Sequence, residues 1–213
     1  MNIKEFIRSN NFETIIEIGT HFGTDTLDFK NLLPNCKIMC FEPDPRNIKV
    51  IKKNWGDMEV ADLYELAVSN YNGITEFYLS SGNCGHWAND KMLLENDWSA
   101  SNSIKKPKEH LNYHKWVNFD EKIEVECIKL DDFEPLKNVN IDFIWADVQG
   151  AEDLVFEGAK ELLKRTKYVY TEYNQNEMYE NQLNLDGILT LFGEDWEIVH
   201  LYEDDVLLKN KNI

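Results

Sequence analysis

Two glycines and a glutamate near the N-terminus have the types and spacing of a nucleoside-binding turn. Gly19 and Gly23 follow the apolar run 14–16, which Glu17 and Ile18 continue as a strand, and Glu42 follows the next apolar run, 38–41, about twenty residues beyond Gly23. Glycines let the backbone approach a ligand closely, and a carboxylate accepts hydrogen bonds from a ribose diol. The spacing Gly-x-x-x-Gly differs from the Gly-x-Gly-x-x-Gly turn of dinucleotide sites. The pattern favours a nucleoside-like ligand, although two glycines in a strand-turn-helix unit also occur for packing alone.

Length, composition and charge limit the class of protein. The chain has 213 residues, of which 43% are hydrophobic, and this suits one α/β domain spanning residues 1–213. Its 22 basic and 39 acidic side chains give a formal charge of −17. Such a field repels phosphate backbones and anionic lipid, so we expect neither nucleic acid nor a membrane as partner. The cysteines form no Cys-x-x-Cys pair and the N-terminus has no signal-peptide core, which predicts a cytoplasmic protein.

Helical and strand patterns alternate along most of the chain, which predicts a doubly wound, mostly parallel sheet. Strands are predicted at 14–18, 37–41, 62–68, 73–80, 122–128, 141–146 and 168–171, with a C-terminal antiparallel hairpin at 196–202 and 206–209. Helices are predicted at 3–9, packed against the sheet edge, and at 25–33, 46–54, 152–165 and 183–192.

Residues 81–119 have no regular period and are predicted to form an inserted lid or substrate-binding segment. Three tryptophans lie in it, Trp87, Trp98 and Trp116. They can stack on a sugar ring or anchor the lid by packing.

Ligands of doubly wound sheets bind at the carboxyl ends of the strands. Five residues fall at or near the ends of predicted strands, namely Glu17, Glu42, Ala67, Asp147 and Glu172. We therefore expect these residues to meet along one rim of the sheet.

The segment 142–152, Asp-Phe-Ile-Trp-Ala-Asp-Val-Gln-Gly-Ala-Glu, resembles the FkbM family of methyltransferases. The similarity extends to residues 17–23, 41–43, 99–104, 107–111, 130–132, 158–160 and 171–172. The resemblance implies a Rossmann-like class I methyltransferase fold with seven strands. It also implies S-adenosylmethionine as cofactor, S-adenosylhomocysteine as product, and methylation of a hydroxyl, often on a sugar or polyketide.

The resemblance also implies roles for individual cofactor-site residues. Glu17 would lie near the methionine ammonium group, and Glu42 would bind the ribose hydroxyls. The remaining predicted cofactor-site residues are Gly19, Thr20, His21, Gly23, Pro43, Ala67, Val68 and Asp147. The chain departs from the common family pattern at Trp145 and Gln149, where Lys and Glu are usual. These departures remove a second carboxylate and a cation, which weakens the case for a metal site, so none is predicted, and Mg2+ stays possible but without support.

A hydroxyl acceptor benefits from a general base, and Asp147 at the tip of the central strand is the first candidate. The alternative is that Asp147 caps the following helix. Glu152 is predicted as base, orienting group or first-turn acid, and Glu172 as a catalytic or substrate contact. The other predicted substrate-binding residues are Ser101, Ser103, His110, His114 and Gln149. His110 and His114, four residues apart, would share one face of a helix.

The sequence thus predicts an O-methyltransferase that acts on a small-molecule or glycan acceptor. Two alternatives remain at this point: an NAD-dependent oxidoreductase, and a non-catalytic binding module that retains the cofactor pocket. The pattern does not address the oligomeric state.

Overall fold

The computed structural model describes residues 1–82 and 97–213. Its strands, in chain order, are β1 (Thr14–Ile18), β2 (Lys37–Phe41), β3 (Asp62–Tyr64), β4 (Ala67–Val68), β5 (Gly73–Gly82), β6 (Val117–Ile128), β7 (Ile141–Ala146), β8 (Thr166–Glu172), β9 (Trp196–Leu201) and β10 (Asp205–Asn210). The helices are α1 (Ile3–Asn10), α2 (Thr24–Leu32), α3 (Pro45–Trp55), α4 (His110–Tyr113), α5 (Glu152–Glu157), α6 (Lys160–Leu163) and α7 (Leu185–Phe192), with 3-10 turns at Leu130–Asp132 and Glu134–Leu136.

The main sheet has seven strands in the order β3-β2-β1-β7-β8-β10-β9. The first five strands are mutually parallel, and β10 is antiparallel to both of its neighbours. This arrangement confirms the predicted α/β fold with its C-terminal hairpin. Strands β1, β2 and β7 are mostly apolar and are buried along most of their length, because both faces of the sheet are covered.

Helix α1 packs on a face of the sheet rather than on its edge, so that part of the prediction is wrong. Ile7 of α1 is fully buried with Phe143 of β7 and Leu207 of β10. These strands lie inside the sheet, where an apolar helix face removes more surface from water than it would at an edge.

A second sheet of three strands, in the order β4-β6-β5, lies outside the prediction. The predicted single strand 62–68 is in fact two strands, since β3 pairs with β2 whereas Ala67 and Val68 pair with Cys127 and Ile128 of β6. Tertiary pairing over a long chain separation overrides the continuous strand pattern. Ala67 and Val68 therefore belong to the second sheet and not to the main sheet.

The predicted helix 152–165 is also broken, into α5 and α6. Gly158 lies against the backbone of Ser69, where a Cβ atom would come within 2.1 Å of the carbonyl oxygen. The Asp131 carboxylate accepts the backbone N–H groups of Glu161 and Leu162 at the start of α6. The chain therefore restarts a helix at a new cap instead of continuing the first one.

Among the described residues, no helix is long and apolar enough to cross a membrane.

Candidate active site

The glycine turn joins the ends of three strands. The N–H groups of Gly19 and Thr20 donate to the carbonyl of Phe41 at 3.0 and 3.2 Å. The N–H of Asp147 donates to the carbonyl of Ile18 at 3.0 Å. Gly19 has a φ of +86°, and a Cβ atom there would lie 1.8 Å from the carbonyl oxygen of Asp147. Glycine is therefore required, because the turn lies directly against the tip of β7.

Glu42 is a buried carboxylate at the end of β2, 3% exposed. Its Oε2 accepts the N–H of His21 at 2.7 Å, and its Oε1 accepts the N–H of Asp44 at 2.8 Å and the amide of Asn47 at 3.3 Å. Burial raises the pKa of Glu42 to about 8 against the opposing effect of these N–H donors. A carboxylate has about four acceptor positions, so at least one remains for a ligand.

A polar network connects the start of α3 with the segment that follows residue 97. Asp44 is the N-cap of α3 and accepts the N–H of Arg46 at 2.7 Å. The Asn102 amide donates to Asp44 at 2.6 Å, and its oxygen accepts the N–H of Ser80 at 2.7 Å. Asp44 is fully buried and paired with the Arg46 guanidinium at 2.8 Å. The network holds the Glu42 loop and residues 99–104 in one position.

His21, Ser99 and Asn47 extend this connection across the glycine turn. The Ser99 hydroxyl donates to the side-chain oxygen of Asn47 at 2.6 Å and lies 3.0 Å from Nε2 of His21. His21 has a φ of +51°. The His21 ring reaches from the glycine turn to Ser99, in the segment after residue 97, and the His21 backbone N–H donates to Glu42.

These elements enclose a cavity at the carboxyl ends of β1, β2 and β7. One end is apolar and is lined by Phe41, Leu66, Ala67, Val68, Phe77 and Ile104. The middle is lined by Thr20, His21, Glu42, Pro43, Asn47, Ser99 and Asn102. The far end is lined by Gly19, Thr24, Asp25, Trp145, Asp147, Val148 and Gln149. Of the described residues, those that line the cavity include three carboxylates, Asp25, Glu42 and Asp147, and no lysine or arginine.

Asp147 is exposed at this far end and belongs to a pair of carboxylates. The amide nitrogen of Gln149 donates to Asp147 at 2.7 Å and to Glu172 at 3.0 Å. Burial, together with the charges of Asp147 and Glu152, raises the pKa of Glu172 well above its ordinary value. The structure therefore brings together three of the predicted residues from β7, the following turn and β8.

The predicted alternative that Asp147 caps the helix is wrong, because Ala151 occupies the N-cap position without a side-chain hydrogen bond. Glu152 is instead buried, and its Oε1 accepts the N–H groups of Val148 and Gly150 at 3.3 and 3.2 Å. Burial raises the pKa of Glu152 to about 7. Glu152 does not line the cavity, and it orders the turn that carries Gln149.

Two of the residues predicted at the cofactor lie behind the turn rather than in the cavity. Glu17 is buried and accepts a hydrogen bond from the Thr26 hydroxyl, and burial raises its pKa well above the ordinary value. Gly23 begins α2 and lies against Trp55, where a Cβ atom would come within 2.8 Å of the indole nitrogen. Glu17 and Gly23 thus lie behind the cavity lining and support the turn, and their contact with a cofactor stays a prediction.

Five of the six predicted substrate residues, namely Ser101, Ser103, His110, His114 and Glu172, lie outside the cavity lining. His110 is buried, 3.0 Å from the Ser101 hydroxyl, and burial lowers its pKa to about 4. The ring centroids of His110 and His114 are 4.8 Å apart, although α4 ends at Tyr113. Ser103 pairs through its backbone with Tyr78. The described residues contain no cluster of three metal-ligating side chains. Trp87 lies outside the described residues.

The cavity residues to which sequence reasoning gave no role include Asp25, Asn47 and Ser99. Asp25 is in the first turn of α2, so an acid two residues after Gly23 was the available signal. Ser99 begins the family-like segment 99–104, but neither its role nor that of Asn47 could be assigned, because each depends on contact between distant segments.

Comparison with known proteins identifies the family. The methyltransferase FkbM domain matches residues 17–202. The chain belongs to the FkbM methyltransferase family. This FkbM methyltransferase is 40% identical over 204 residues to the 2-O-methyltransferase NoeI of Sinorhizobium fredii, a match that covers 93% of this chain and 80% of that protein. The resemblance to the FkbM family that the sequence indicates is confirmed. Membership of a methyltransferase family rejects the alternative of an NAD-dependent oxidoreductase.

Solved structures show the same fold. An O-methyltransferase from Bacillus cereus, solved in complex with S-adenosylhomocysteine, matches 97% of this chain and 77% of its own with a TM-score of 0.52 and 11% identity. A candidate O-methyltransferase from Klebsiella pneumoniae matches 99% of this chain and 80% of its own with a TM-score of 0.54 and 13% identity. At these identities the likeness shows the fold of the FkbM methyltransferase and no more.

Proposed function

We propose that this FkbM methyltransferase transfers the methyl group of S-adenosylmethionine to a hydroxyl oxygen of a sugar or glycan. The observation that carries the proposal is the cavity at the ends of β1, β2 and β7. The cavity combines an apolar end, the buried carboxylate of Glu42, and a far end that carries the carboxylates of Asp25 and Asp147.

The lining of the cavity fits the parts of S-adenosylmethionine in order. Ala67, Phe77 and Ile104 offer apolar surface to a flat purine. Glu42 has acceptor capacity for the ribose diol, and Asp25 and Asp147 attract a cationic ligand. The negatively charged pyrophosphate of a dinucleotide would face the three carboxylates of the described lining, where no lysine or arginine offsets their repulsion. The site therefore favours a sulfonium nucleoside over a dinucleotide.

The cofactor supplies a methyl group that is already electrophilic, so the protein's main task is to position the acceptor oxygen and receive its proton. We assign Asp147 as general base, because it is exposed at the far end of the cavity and accessible to an acceptor. As the new carbon–oxygen bond forms and the carbon–sulfur bond breaks, the hydroxyl proton passes to the Asp147 carboxylate. We assign Glu42 and Asn47 to cofactor binding.

A hydroxyl-rich acceptor is supported by the groups beside Asp147. Trp145 lines the cavity and stacks on Tyr170 with centroids 4.3 Å apart, and the Tyr170 hydroxyl donates to Asp205 at 2.8 Å. The carboxylates of the cavity lining can accept hydrogen bonds from several hydroxyl groups of one acceptor. The relative NoeI is named for transfer to a 2-O position, which fits an acceptor with several hydroxyls.

Calorimetry with S-adenosylmethionine and S-adenosylhomocysteine tests the cofactor, with NADH as a negative control. Labelled S-adenosylmethionine with a panel of neutral glycosides and oligosaccharides, and with amino sugars for comparison, then tests the acceptor. We expect binding of both sulfur ligands, no binding of NADH, and label in an alkali-stable ether product. Absence of binding by either sulfur ligand would refute the proposal. Label found only in amine acceptors would refute transfer to oxygen.

A further inference from the structure

The Gln149 side chain has a defined orientation between two carboxylates and a phenol. Its amide nitrogen faces Asp147 and Glu172 at 2.7 and 3.0 Å, and its amide oxygen lies 3.3 Å from the hydroxyl of Tyr179. The reverse orientation would place the amide oxygen against both carboxylates. Because an amide nitrogen carries two hydrogens, one side chain can donate to both carboxylates at once.

Tyr179 fixes that orientation. Its hydroxyl lies 2.7 Å from the carbonyl oxygen of Ser101, so its single proton is shared between this carbonyl and the amide oxygen of Gln149. Tyr179 is 2% exposed. Its ring also packs on the turn, since a Cβ atom at Gly150 would lie 2.8 Å from Cδ2 of Tyr179. The phenol thus connects the turn after β7 with the segment that contains Ser101.

The carboxylate pair is surrounded by other acidic groups. The titratable groups that act on Asp147 or Glu172 from the neighbouring elements are Glu17, Asp25, Glu152, Asp205, Tyr170 and Tyr179. All of them are neutral or negative, so their charges disfavour a second negative charge on the pair. In the described part of the chain the Gln149 amide donates to both carboxylates, and the Asp147 and Glu172 carboxyl groups also form a hydrogen bond with each other.

We propose that Gln149 and Tyr179 are positioning residues: Tyr179 orients the Gln149 amide, which in turn holds Asp147 and Glu172 together as one two-carboxylate unit. The unit takes up one proton from the acceptor hydroxyl during methyl transfer, and the proton is retained on either carboxylate until solvent removes it. The role in methyl transfer rests on the proposed function. The hydrogen-bonded unit itself does not, and it is measurable without any ligand.

Carboxyl carbon NMR of the complete, ligand-free protein measures the titration of the pair directly. Asp147→Asn and Glu172→Gln identify the two signals. In the wild type we expect the pair to titrate in two separated steps. Gln149→Met keeps the length of the side chain but removes the donor, so the steps should move upward by about one pH unit, as expected for the loss of a hydrogen bond to a charged group.

Tyr179→Phe keeps the ring on Gly150 and removes only the hydroxyl. It should move the same steps in the same direction by a smaller amount, because the Gln149 amide is then free to turn. Tyr173→Phe is the matched control, because Tyr173 directly follows Glu172 but its hydroxyl donates to the carbonyls of Tyr202 and Glu203, at 3.2 and 3.3 Å, rather than to the pair. It should leave both steps unchanged.

Titration steps that stay in place in both Gln149→Met and Tyr179→Phe would overturn the proposal, and so would an equal shift in Tyr173→Phe. Thermal unfolding of each variant shows that the folded protein is being compared. Failure of the proposed function is a separate result, because it shows as a wild-type protein that neither binds S-adenosylhomocysteine nor transfers a methyl group. With an acceptor in hand, the acid limb of the rate profile should shift upward in parallel with the NMR steps.

Discussion

Replacement of Glu42 by glutamine changes both stability and ligand binding, and the two effects have different pH dependence. In the folded protein burial raises the pKa of Glu42 from 4.5 to about 8. The folded state therefore keeps a proton that the unfolded chain releases near pH 4.5, and stability falls as the pH rises between these values. At pH 8 and above, this lowers the stability of the ligand-free wild type by up to about 5 kcal/mol.

Glutamine removes that dependence but introduces a different cost. The two oxygens of Glu42 accept N–H groups of His21 and Asp44, and the amide nitrogen of glutamine would face one of these donors. An unsatisfied buried donor costs roughly 1–3 kcal/mol at every pH. The variant should thus be less stable than the wild type at pH 5, by roughly 1–3 kcal/mol, and more stable at pH 9, by roughly 2–4 kcal/mol.

Urea unfolding of the ligand-free protein at pH 5, 7 and 9 measures this change of sign, with the exposed Glu65→Gln as control. Calorimetry should also show that Glu42→Gln binds S-adenosylhomocysteine about 10- to 100-fold more weakly, because glutamine replaces one acceptor oxygen for the ribose diol with an amide nitrogen that cannot accept. A variant that is destabilised by the same amount at all three pH values would refute the assignment of a raised pKa to Glu42. Unchanged affinity would refute its contact with the ribose.

Three further substitutions test other parts of the site. Asp147→Asn should lower methyl transfer by about 100-fold or more while S-adenosylhomocysteine binding changes less than about tenfold, and equal losses in turnover and binding would contradict its role as base. Gly19→Ala places a Cβ atom 1.8 Å from a carbonyl oxygen, so urea unfolding should show a loss of about 2–4 kcal/mol, with wild-type stability as the contrary result. Ser99→Ala breaks the contact between His21 and Asn47 and should weaken cofactor affinity about three- to tenfold in calorimetry, whereas a wild-type value would remove Ser99 from the site.

The main sheet was predictable because its central strands are short apolar runs between polar residues. The predicted bounds of β1, β2 and β7 agree with the structure, since strands buried on both faces leave a continuous apolar signal. The second sheet was not predictable, because Ala67 and Val68 pair with Cys127 and Ile128. The local sequence pattern around Ala67 and Val68 does not indicate a pairing strand so far along the chain.

The site was predictable in part. Glu42 and Asp147 were found from their positions at strand ends, where the topology brings side chains together. The role of Glu152 was not, because its carboxylate turns back to the N–H groups of Val148 and Gly150. The break at Gly158 had a signal in the sequence, a glycine inside a helical pattern, but its cause is the backbone of Ser69.

The contact between the glycine turn and the tip of β7 has a consequence for synthesis of the protein. Ile18 and Gly19 are made early, whereas Asp147, which packs against both, is made after two thirds of the chain. A nascent chain that already contains the turn and Glu42 still lacks the far wall of the cavity. Ligand capture must therefore wait until β7 has left the ribosome and inserted beside β1, so that binding reports on a late step of assembly and stabilises the chain only once that step is complete.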